Sequence, residues 1–320
     1  MLKLTRWEIL TRIDAAFDCG SADDLRGATF NVTECLQGNR MRVLDLWLSE
    51  LPPGQRILDL GCGSGSLKAQ LAGRPVFGVD IDPKMLASNR SLVGVCAISN
   101  SLPFACQTFR LVICHHSMEH FADAAGAIRE VKRVLAPGGR LFVSVPEGSS
   151  FADRLYRLLF CGGDHFQRFS FERVVDAVES GTGLQLAAWK ELSTSFAFVE
   201  KWSFVPAPRG RLPGPLPRRM RWLGHLPVWV FESARVLLNL GTRLVDRCFG
   251  TSLSRYGWAL AFSSAATPPH EEPGCLNVCM SCGSGVEQAS STRLGRFLYR
   301  CPACSALNVF FGPWTRQPAN

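Results

Sequence analysis

Two kinds of hydrophobic segment alternate along residues 57–190. Short apolar runs predict buried strands, and they lie at 57–60, 76–80, 93–97, 109–114, 140–145 and 183–189. Between them, apolar residues spaced three and four positions apart predict helices, most clearly at 123–135 and 171–178. Because strands and helices alternate, the sequence predicts an α/β fold in which helices cover both faces of a largely parallel sheet.

Both flanks of this alternating region carry patterns of their own. Apolar residues at helical spacing in residues 1–50, among them Met41, Leu44 and Leu48, predict an N-terminal helical cap. Residues 51–264 then form the main domain. A small third module spans residues 265–320 and begins with a linker at 267–274.

A long segment, residues 200–250, interrupts the main domain between the strands predicted at 183–189 and 255–262. Its polar residues recur at spacings of three and four and mark one helical stripe: Glu232, Arg235, Asn239, Arg243 and Asp246. The opposite face is largely apolar. Since the preceding strand ends at the edge of the sheet where ligands bind, we expect this amphipathic insertion to rise over that edge.

Charge is concentrated in the same insertion. The whole chain of 320 residues has a formal charge of +8, and residues 201–250 hold nine basic against two acidic residues, a net +7. Arginines beside a long apolar helical face favour contact with an anionic membrane surface. The simpler interpretation, which we place first, is a lid helix whose apolar face packs on the domain. A surface for RNA phosphates is the third.

Composition narrows the class of protein. With 47% hydrophobic and 19% charged residues the chain is globular rather than disordered. No apolar run reaches the length of a spanning helix, and charge interrupts the apolar residues of the N-terminus, so no signal peptide is predicted. Thirteen cysteines without an export signal indicate a reducing, cytoplasmic compartment, with the inner face of the membrane as the site of any membrane contact.

The strongest chemical signal is a glycine-rich turn after the first strand. Gly61, Gly63 and Gly65 alternate there, and Asp80 ends the next strand 21 residues beyond Asp59. Glycines let a backbone approach a ligand closely, and a carboxylate at that strand end accepts the hydroxyls of a ribose. The third glycine is too early for a dinucleotide fingerprint, and the Gly-Lys-Ser/Thr of a phosphate loop is missing.

Four blocks together resemble the class I S-adenosylmethionine-dependent methyltransferases, in particular the quinone- and small-molecule-methylating branch. Beyond the glycine turn these are 77–86, 102–104, 118–123 and 130–141. The resemblance implies a Rossmann-like sheet of seven strands that ends on an antiparallel strand at 255–262. It assigns cofactor contacts to Asp59, Gly61, Cys62, Gly63, Gly65, Asp80, Ile81, Ser99, Asn100, Ser101 and Cys114.

Two positions depart from that family pattern. Ile98 stands where relatives hold the adenine amino group with an acidic residue, and we expect Ser99 or Asn100 to substitute for it. Arg110 stands where relatives carry aspartate before the fourth strand. The glycine turn and Asp80 are intact, which favours binding of S-adenosylmethionine.

Candidate bases for the methyl acceptor are histidines. His115 and His116 end the fourth strand, and His165 follows the fifth strand in a segment that the resemblance places near substrate. The predicted reaction is methyl transfer to an oxygen or carbon of a small or lipid-linked acceptor. The alternatives are an RNA methyltransferase and a non-catalytic cofactor-binding protein of the same fold.

The C-terminal module carries a separate signal, two C-x-x-C pairs. Cys279 and Cys282 are followed, after eighteen residues, by Cys301 and Cys304. Four thiolates at this spacing fit a tetrahedral structural zinc site of the zinc-ribbon type. A closed site of this kind leaves no position for water, so we assign the predicted zinc to folding rather than catalysis.

Overall fold

The computed structural model describes residues 41–272 apart from 64, 66, 68–70, 90, 161–165, 195, 197, 200, 206–217 and 265–267, together with five short strands between 277 and 309. The helical cap predicted before residue 41 therefore lies outside the described residues.

An eight-stranded sheet organises the described part of the chain. Its strands are β1 (Ile57–Leu60), β2 (Val76–Asp80), β3 (Val93–Cys96), β4 (Phe109–His115), β5 (Leu135–Pro146), β6 (Gln185–Ser193), β7 (Arg255–Ser263) and β8 (His270–Glu271). The order across the sheet is β3-β2-β1-β4-β5-β7-β6-β8. Strands β1 to β5 pair in parallel, and β7 runs antiparallel to both of its neighbours. The predicted mostly parallel, Rossmann-like α/β sheet with an antiparallel seventh strand is confirmed.

The sheet has one strand more than predicted. His270 and Glu271 pair in parallel with Ala188 and Trp189 of β6, where the sequence suggested a linker. The backbone N–H of Glu272 continues the attachment by donating to the carbonyl of Trp189 at 2.7 Å. Two paired residues have no periodicity to detect, so the expectation of seven strands was wrong by one.

Six α-helices accompany the sheet in the part of the chain that the structure describes. They are α1 (Arg42–Glu50), α2 (Pro83–Ser88), α3 (Ala124–Val134), α4 (Phe151–Leu159), α5 (Phe171–Thr182) and α6 (Val228–Phe249). Side-chain oxygens that accept from free backbone N–H groups start four of them, namely Asp82, Asp123, Ser150 and Ser170. Short strands β9 (Asn277–Val278), β10 (Gly285–Val286), β11 (Thr292–Arg293), β12 (Leu298–Arg300) and β13 (Leu307–Val309) follow.

Both faces of the sheet are covered, as the alternation of strands and helices predicted. Alternate residues of β1 point to opposite faces, so Leu58 packs with Val131 of α3 and Val174 of α5. On the other face, Ile57 belongs to a cluster that contains Trp47 and Leu48 of α1. The carboxyl ends of β1, β2 and β4 are thereby fixed along one edge.

The insertion packs above α4 through aromatic side chains. Phe231 of α6 stacks on Phe204 with 5.2 Å between ring centroids, and Phe160 and Phe196 belong to the same cluster. Within the part of the chain that the structure describes, no helix combines the length and the apolar character needed to cross a membrane.

One residue of the polar stripe of helix α6 is buried, and the other four are partly exposed. Asn239 of that stripe is only 2% exposed, whereas Leu237 on the apolar face is 68% exposed. Trp229 and Leu244 lie eight residues before and seven residues after Leu237, and both are exposed as well. We call Trp229, Leu237 and Leu244 the apolar stripe. Ala234 and Leu238 of the predicted apolar face pack on the domain, whereas Leu237 of that face is exposed.

Candidate active site

The glycine turn after β1 has the backbone conformation that the sequence indicated. Gly61, Gly63 and Gly65 have φ angles of +75°, +49° and +90°. A Cβ atom on Gly61 would lie 2.4 Å from the Cβ of Ser117, so that glycine is required by packing. A Cβ on Gly63 would meet nothing within 4 Å. The chain thus leaves open space beside Gly63, where a ligand can approach the backbone.

Asp80 lies beside this turn and is bonded to it. The backbone N–H of Gly63 donates to Oδ2 of Asp80 at 2.9 Å, and the N–H of Asp82 donates to Oδ1 at 2.9 Å. Each carboxylate oxygen keeps a second lone pair that can accept a ribose hydroxyl. The residues present therefore fit the nucleoside part of S-adenosylmethionine.

Asp59, Cys62 and Cys114 are buried around the turn. Burial and the nearby Asp80 raise the pKa of Asp59 to about 7. Burial, with neighbouring carboxylates, raises the pKa of both thiols well above the usual range. Neutral thiols of this kind act as small packing groups.

The residues assigned to adenine lie at the ends of β2 and β3. Strand pairing places Asp80 opposite Cys96, so Ile81 and Ile98 follow at the same edge, and both side chains are exposed. Asn100 donates its amide to Oδ2 of Asp123 at 3.1 Å and so supports the start of α3. That bond occupies the donor side of Asn100. The adenine contacts of Ile81, Ser99, Asn100 and Ser101 stay predictions.

Arg110 has a structural partner that accounts for its departure from the family pattern. Its guanidinium donates to the carbonyl of Pro137, in the turn between α3 and the regular part of β5. Arg110 therefore fixes a turn and lies away from the glycine loop.

His115 and His116 lie together at the end of β4, with 4.6 Å between ring centroids. Nδ1 of His115 is 2.6 Å from Oγ of Ser144, and burial lowers the pKa of His115 to about 4. His115 is therefore neutral at physiological pH and a weak base. His116 has a φ of +49°, a left-handed conformation that is uncommon for residues other than glycine.

Next to His116 lies a buried carboxyl group, Glu119, which is 1% exposed. Its Oε1 is 3.9 Å from Nδ1 of His116. Burial, with a contribution from the charge of Asp153, raises the pKa of Glu119 to about 8. Tyr256 of β7 lies 5.3 Å from the His116 ring, and its pKa is raised above the usual range by burial and by Glu119.

Sequence reasoning missed part of this group. Glu119 follows β4 directly, so its position was visible, but its burial was not. Asp153 and Tyr256 come from distant parts of the chain and carried no signal. The third predicted base, His165, lies outside the described residues. The adjoining segment does reach the site, because the N–H of Gln167 donates to the carbonyl of Glu119 at 3.1 Å.

The four cysteines of the predicted zinc site also lie outside the described residues. Among the residues that are described, no cluster of three or more His, Cys, Asp or Glu side chains is arranged to hold a metal ion. The zinc site therefore stays a prediction.

Comparison with known proteins supports the interpretation of the glycine turn. Residues 58–143 match the family described as a methyltransferase domain. This range runs from β1 through the glycine turn, Asp80 and the histidines to β5.

Curated relatives share the same region. The chain is 37% identical over 95 residues to a demethylmenaquinone methyltransferase of Corynebacterium kroppenstedtii, covering 28% of this chain and 42% of that protein. It is 30% identical over 154 residues to a ubiquinone biosynthesis O-methyltransferase of Xanthomonas axonopodis, covering 42% and 64% of the two chains.

A third relative is matched over more of its length. The chain is 30% identical over 158 residues to a demethylmenaquinone methyltransferase of Corynebacterium glutamicum, covering 45% of this chain and 69% of that protein. Elsewhere the matches span about half of the relatives' length, for example 42% and 52%. Together with the open glycine turn and Asp80, these likenesses show that the chain belongs to the S-adenosylmethionine-dependent methyltransferases.

Proposed function

We propose that the protein transfers the methyl group of S-adenosylmethionine to an oxygen or carbon atom of a small or lipid-linked acceptor. The observation that carries this proposal is the hydrogen bond of 2.9 Å between Gly63 and Asp80, which ties the open glycine turn to a carboxylate at the ligand edge. When bound, the cofactor supplies a methyl group on a sulfonium sulfur, and the resulting thioether is the leaving group. The residues of the chain orient both molecules and accept the acceptor's proton.

His116 is the base that this geometry favours. His115 donates to or accepts from Ser144 and has a pKa of about 4, so it holds the strand end instead. The strained backbone of His116 places its ring between His115 and Tyr256, next to Glu119. His116→Asn tests this role, because asparagine tolerates the left-handed conformation. We expect methyl transfer to fall at least a hundredfold while cofactor affinity is unchanged. Equal rates of methyl transfer by the wild type and His116→Asn would contradict the role of His116 as base.

The acceptor class is supported by the relatives. Two of the proteins named above are demethylmenaquinone methyltransferases, and one is a ubiquinone biosynthesis O-methyltransferase. Their names describe acceptors with a ring and a lipid tail.

A lipid-linked acceptor requires access to a membrane, and the insertion offers a surface for it. The apolar stripe of α6 is exposed, and the segment before it contains Arg209, Arg211, Arg218, Arg219 and Arg221. Apolar side chains beside arginines suit an anionic membrane surface. We propose peripheral contact at the inner face of the membrane through residues 206–250.

We also propose that the C-terminal module holds a structural zinc ion. Cys279, Cys282, Cys301 and Cys304 have the ligand type and spacing for one tetrahedral zinc ion. Metal analysis of the purified protein should find about one zinc per chain, and Cys279→Ser should abolish it. A preparation that retains zinc after Cys279→Ser would contradict the assignment.

Calorimetric titration of S-adenosylmethionine tests the function first. We expect the wild type to bind and Asp80→Ala to weaken binding at least tenfold, about 1.4 kcal/mol. Asp176→Ala is the matched control, because Asp176 is an exposed carboxylate on α5. Failure of the wild type to bind, or equal affinity of both variants, would contradict the proposal.

The two rival functions make different predictions. A non-catalytic binding protein would bind S-adenosylmethionine but transfer no methyl group to any compound in a cell extract. An RNA methyltransferase would bind RNA with an affinity that falls steeply with salt. Labelled methyl groups recovered in the organic phase of such an extract would exclude both.

A further inference from the structure

A cavity of about 480 Å³ lies beyond the carboxyl end of β5, next to the site described above. Its walls are the turn at 147–149, the start of α4 and the segment 168–173. The volume falls in the range of pockets for small molecules. Four arginines line it, which is unusual for a pocket of this size: Arg154, Arg157, Arg168 and Arg173.

The two acidic residues of the cavity are already engaged. Glu147 accepts from Nε1 of Trp258 at 2.7 Å and from the hydroxyl of Ser149 at 2.8 Å. Asp153 accepts from Nε of Arg157 at 2.6 Å. Asp153 thus pairs directly with one of the four arginines, and with Glu147 counted as well the lining has a formal charge of +2.

The other three arginines keep their positive charge available. Among the described residues, no acidic side chain pairs with Arg154, Arg168 or Arg173. Arg173 donates one N–H to the carbonyl of Arg168 at 2.9 Å, which fixes its position and leaves its other donors free for a ligand. Three guanidinium groups thus surround one cavity.

Two helices begin at the same place. Ser150 accepts from the N–H of Asp153 at 3.1 Å and starts α4, and Ser170 accepts from the N–H of Arg173 at 3.4 Å and starts α5. Helix N-termini add partial positive charge to that of the arginines. A ligand group with more than one negative charge suits this environment better than a neutral or singly charged group.

The cavity is connected to the proposed base. Gly148 donates its N–H to the carbonyl of Phe169 at 2.8 Å, and Gln167 donates to the carbonyl of Glu119 at 3.1 Å. The wall that carries Arg168 is therefore attached to the turn that follows His116.

We propose that this cavity binds a phosphate or diphosphate group of the methyl acceptor. The proposal rests on the proposed methyl transfer and narrows its acceptor to a phosphorylated molecule. Guanidinium groups match phosphate oxygens with paired hydrogen bonds, and three of them counter a doubly or triply charged group. A quinone ring carries no such group and makes no use of the arginines.

Titration with pyrophosphate tests the cavity without knowledge of the acceptor. We expect the wild type to bind pyrophosphate and the double variant Arg154→Gln/Arg168→Gln to bind at least tenfold more weakly. Both side chains are exposed, so the thermal midpoint should be unchanged. Arg56→Gln, another exposed arginine, is the matched control and should bind as the wild type does.

Cofactor affinity separates this inference from the proposed function. If S-adenosylmethionine binds equally to wild type and double variant while pyrophosphate binds neither, the cavity proposal alone is overturned. Equal pyrophosphate affinity in wild type, double variant and control also overturns it, because the charge is then nonspecific.

Competition identifies the source of the phosphate. A water-soluble sugar phosphate and a short prenyl diphosphate are each titrated against bound pyrophosphate. Displacement by the first indicates a soluble phosphorylated acceptor, and displacement by the second a lipid-linked one. Displacement by neither overturns the assignment of the cavity to the acceptor.

Discussion

Glu272 caps the first described helix from 230 positions away, because its Oε2 accepts from the backbone N–H of Arg42 at 2.6 Å. Oε1 of the same carboxylate accepts from the N–H of Val43 at 2.6 Å. Glu272 is buried, and its own N–H is bonded to β6. The carboxylate therefore joins the start of α1 to the edge of the sheet.

Removing this cap should destabilise the fold. Glu272→Ala leaves two N–H groups of α1 without their acceptor, and we expect a loss of about 1–3 kcal/mol in the free energy of unfolding. Urea denaturation measures it. Glu271→Ala changes the neighbouring exposed carboxylate and should shift the free energy by less than about 0.5 kcal/mol. Equal effects of the two variants would contradict the capping role.

Alanine substitutions at Gly63 and Gly73 together distinguish the cost of backbone strain from an effect on ligand binding. Both have positive φ angles, +49° and +77°, and a Cβ on either meets nothing within 4 Å. Alanine at either position should cost about 1–2 kcal/mol of stability. Only Gly63 lies at the ligand edge, so only Gly63→Ala should weaken binding of S-adenosylmethionine, at least tenfold by calorimetry. Equal affinity of the two variants would place the ligand elsewhere.

Glu119 makes stability depend on pH. Its carboxyl has an ordinary pKa of 4.5 and a pKa of about 8 in the folded protein, so its contribution is complete below pH 4.5 and is lost as the pH rises through 8. Glu119→Gln removes this loss. We expect the variant to raise the thermal midpoint more at pH 9 than at pH 5. Glu271→Gln, on the exposed surface, should show the same small change at both values.

An equal gain of Glu119→Gln at pH 5 and pH 9 would show that the carboxyl is ionised in the folded protein at both values. In that case Glu119 would face His116 as a charged partner. The same measurement therefore decides which form of the pair is present at neutral pH.

Leu237 tests the proposed membrane contact. Leu237→Glu places a charge in the middle of the apolar stripe, and we expect binding to phosphatidylglycerol vesicles to fall at least tenfold in sedimentation. The thermal midpoint should not change, because the side chain is exposed. Leu46→Glu, an exposed leucine on α1, should bind vesicles as the wild type does. Similar vesicle binding by Leu237→Glu and Leu46→Glu would exclude the apolar stripe as the membrane contact.

The sequence alone predicted the part of the site that is local in the chain. The glycine turn and Asp80 belong to two consecutive strands, β1 and β2, and short-range rules fix their conformation and spacing. The same rules placed His115 and His116 at the end of β4. Each of these elements is specified by its own residues and by its immediate neighbour in the sheet.

Helix α6 shows what local sequence rules do not predict, namely which of its faces is buried. The helix itself was predicted, because the spacing of its polar residues from Glu232 to Asp246 is a local pattern. Its orientation was not, since Asn239 is buried and Leu237 is exposed. The side that a helix buries depends on the surface it meets, and here that surface includes Phe160 and Phe204 from other parts of the chain.

Tertiary structure likewise decided the chemistry around His116 and the charge of the arginine-lined cavity. Glu119 acquires a pKa of about 8 because it is buried near Asp153. Arg154 and Arg168 are separated by fourteen positions in the sequence but line one cavity. Burial and charge proximity depend on long-range packing, which no pattern of neighbouring residues encodes. The sequence thus determined which side chains reach the ligand edge, and the fold determined their protonation and their partners.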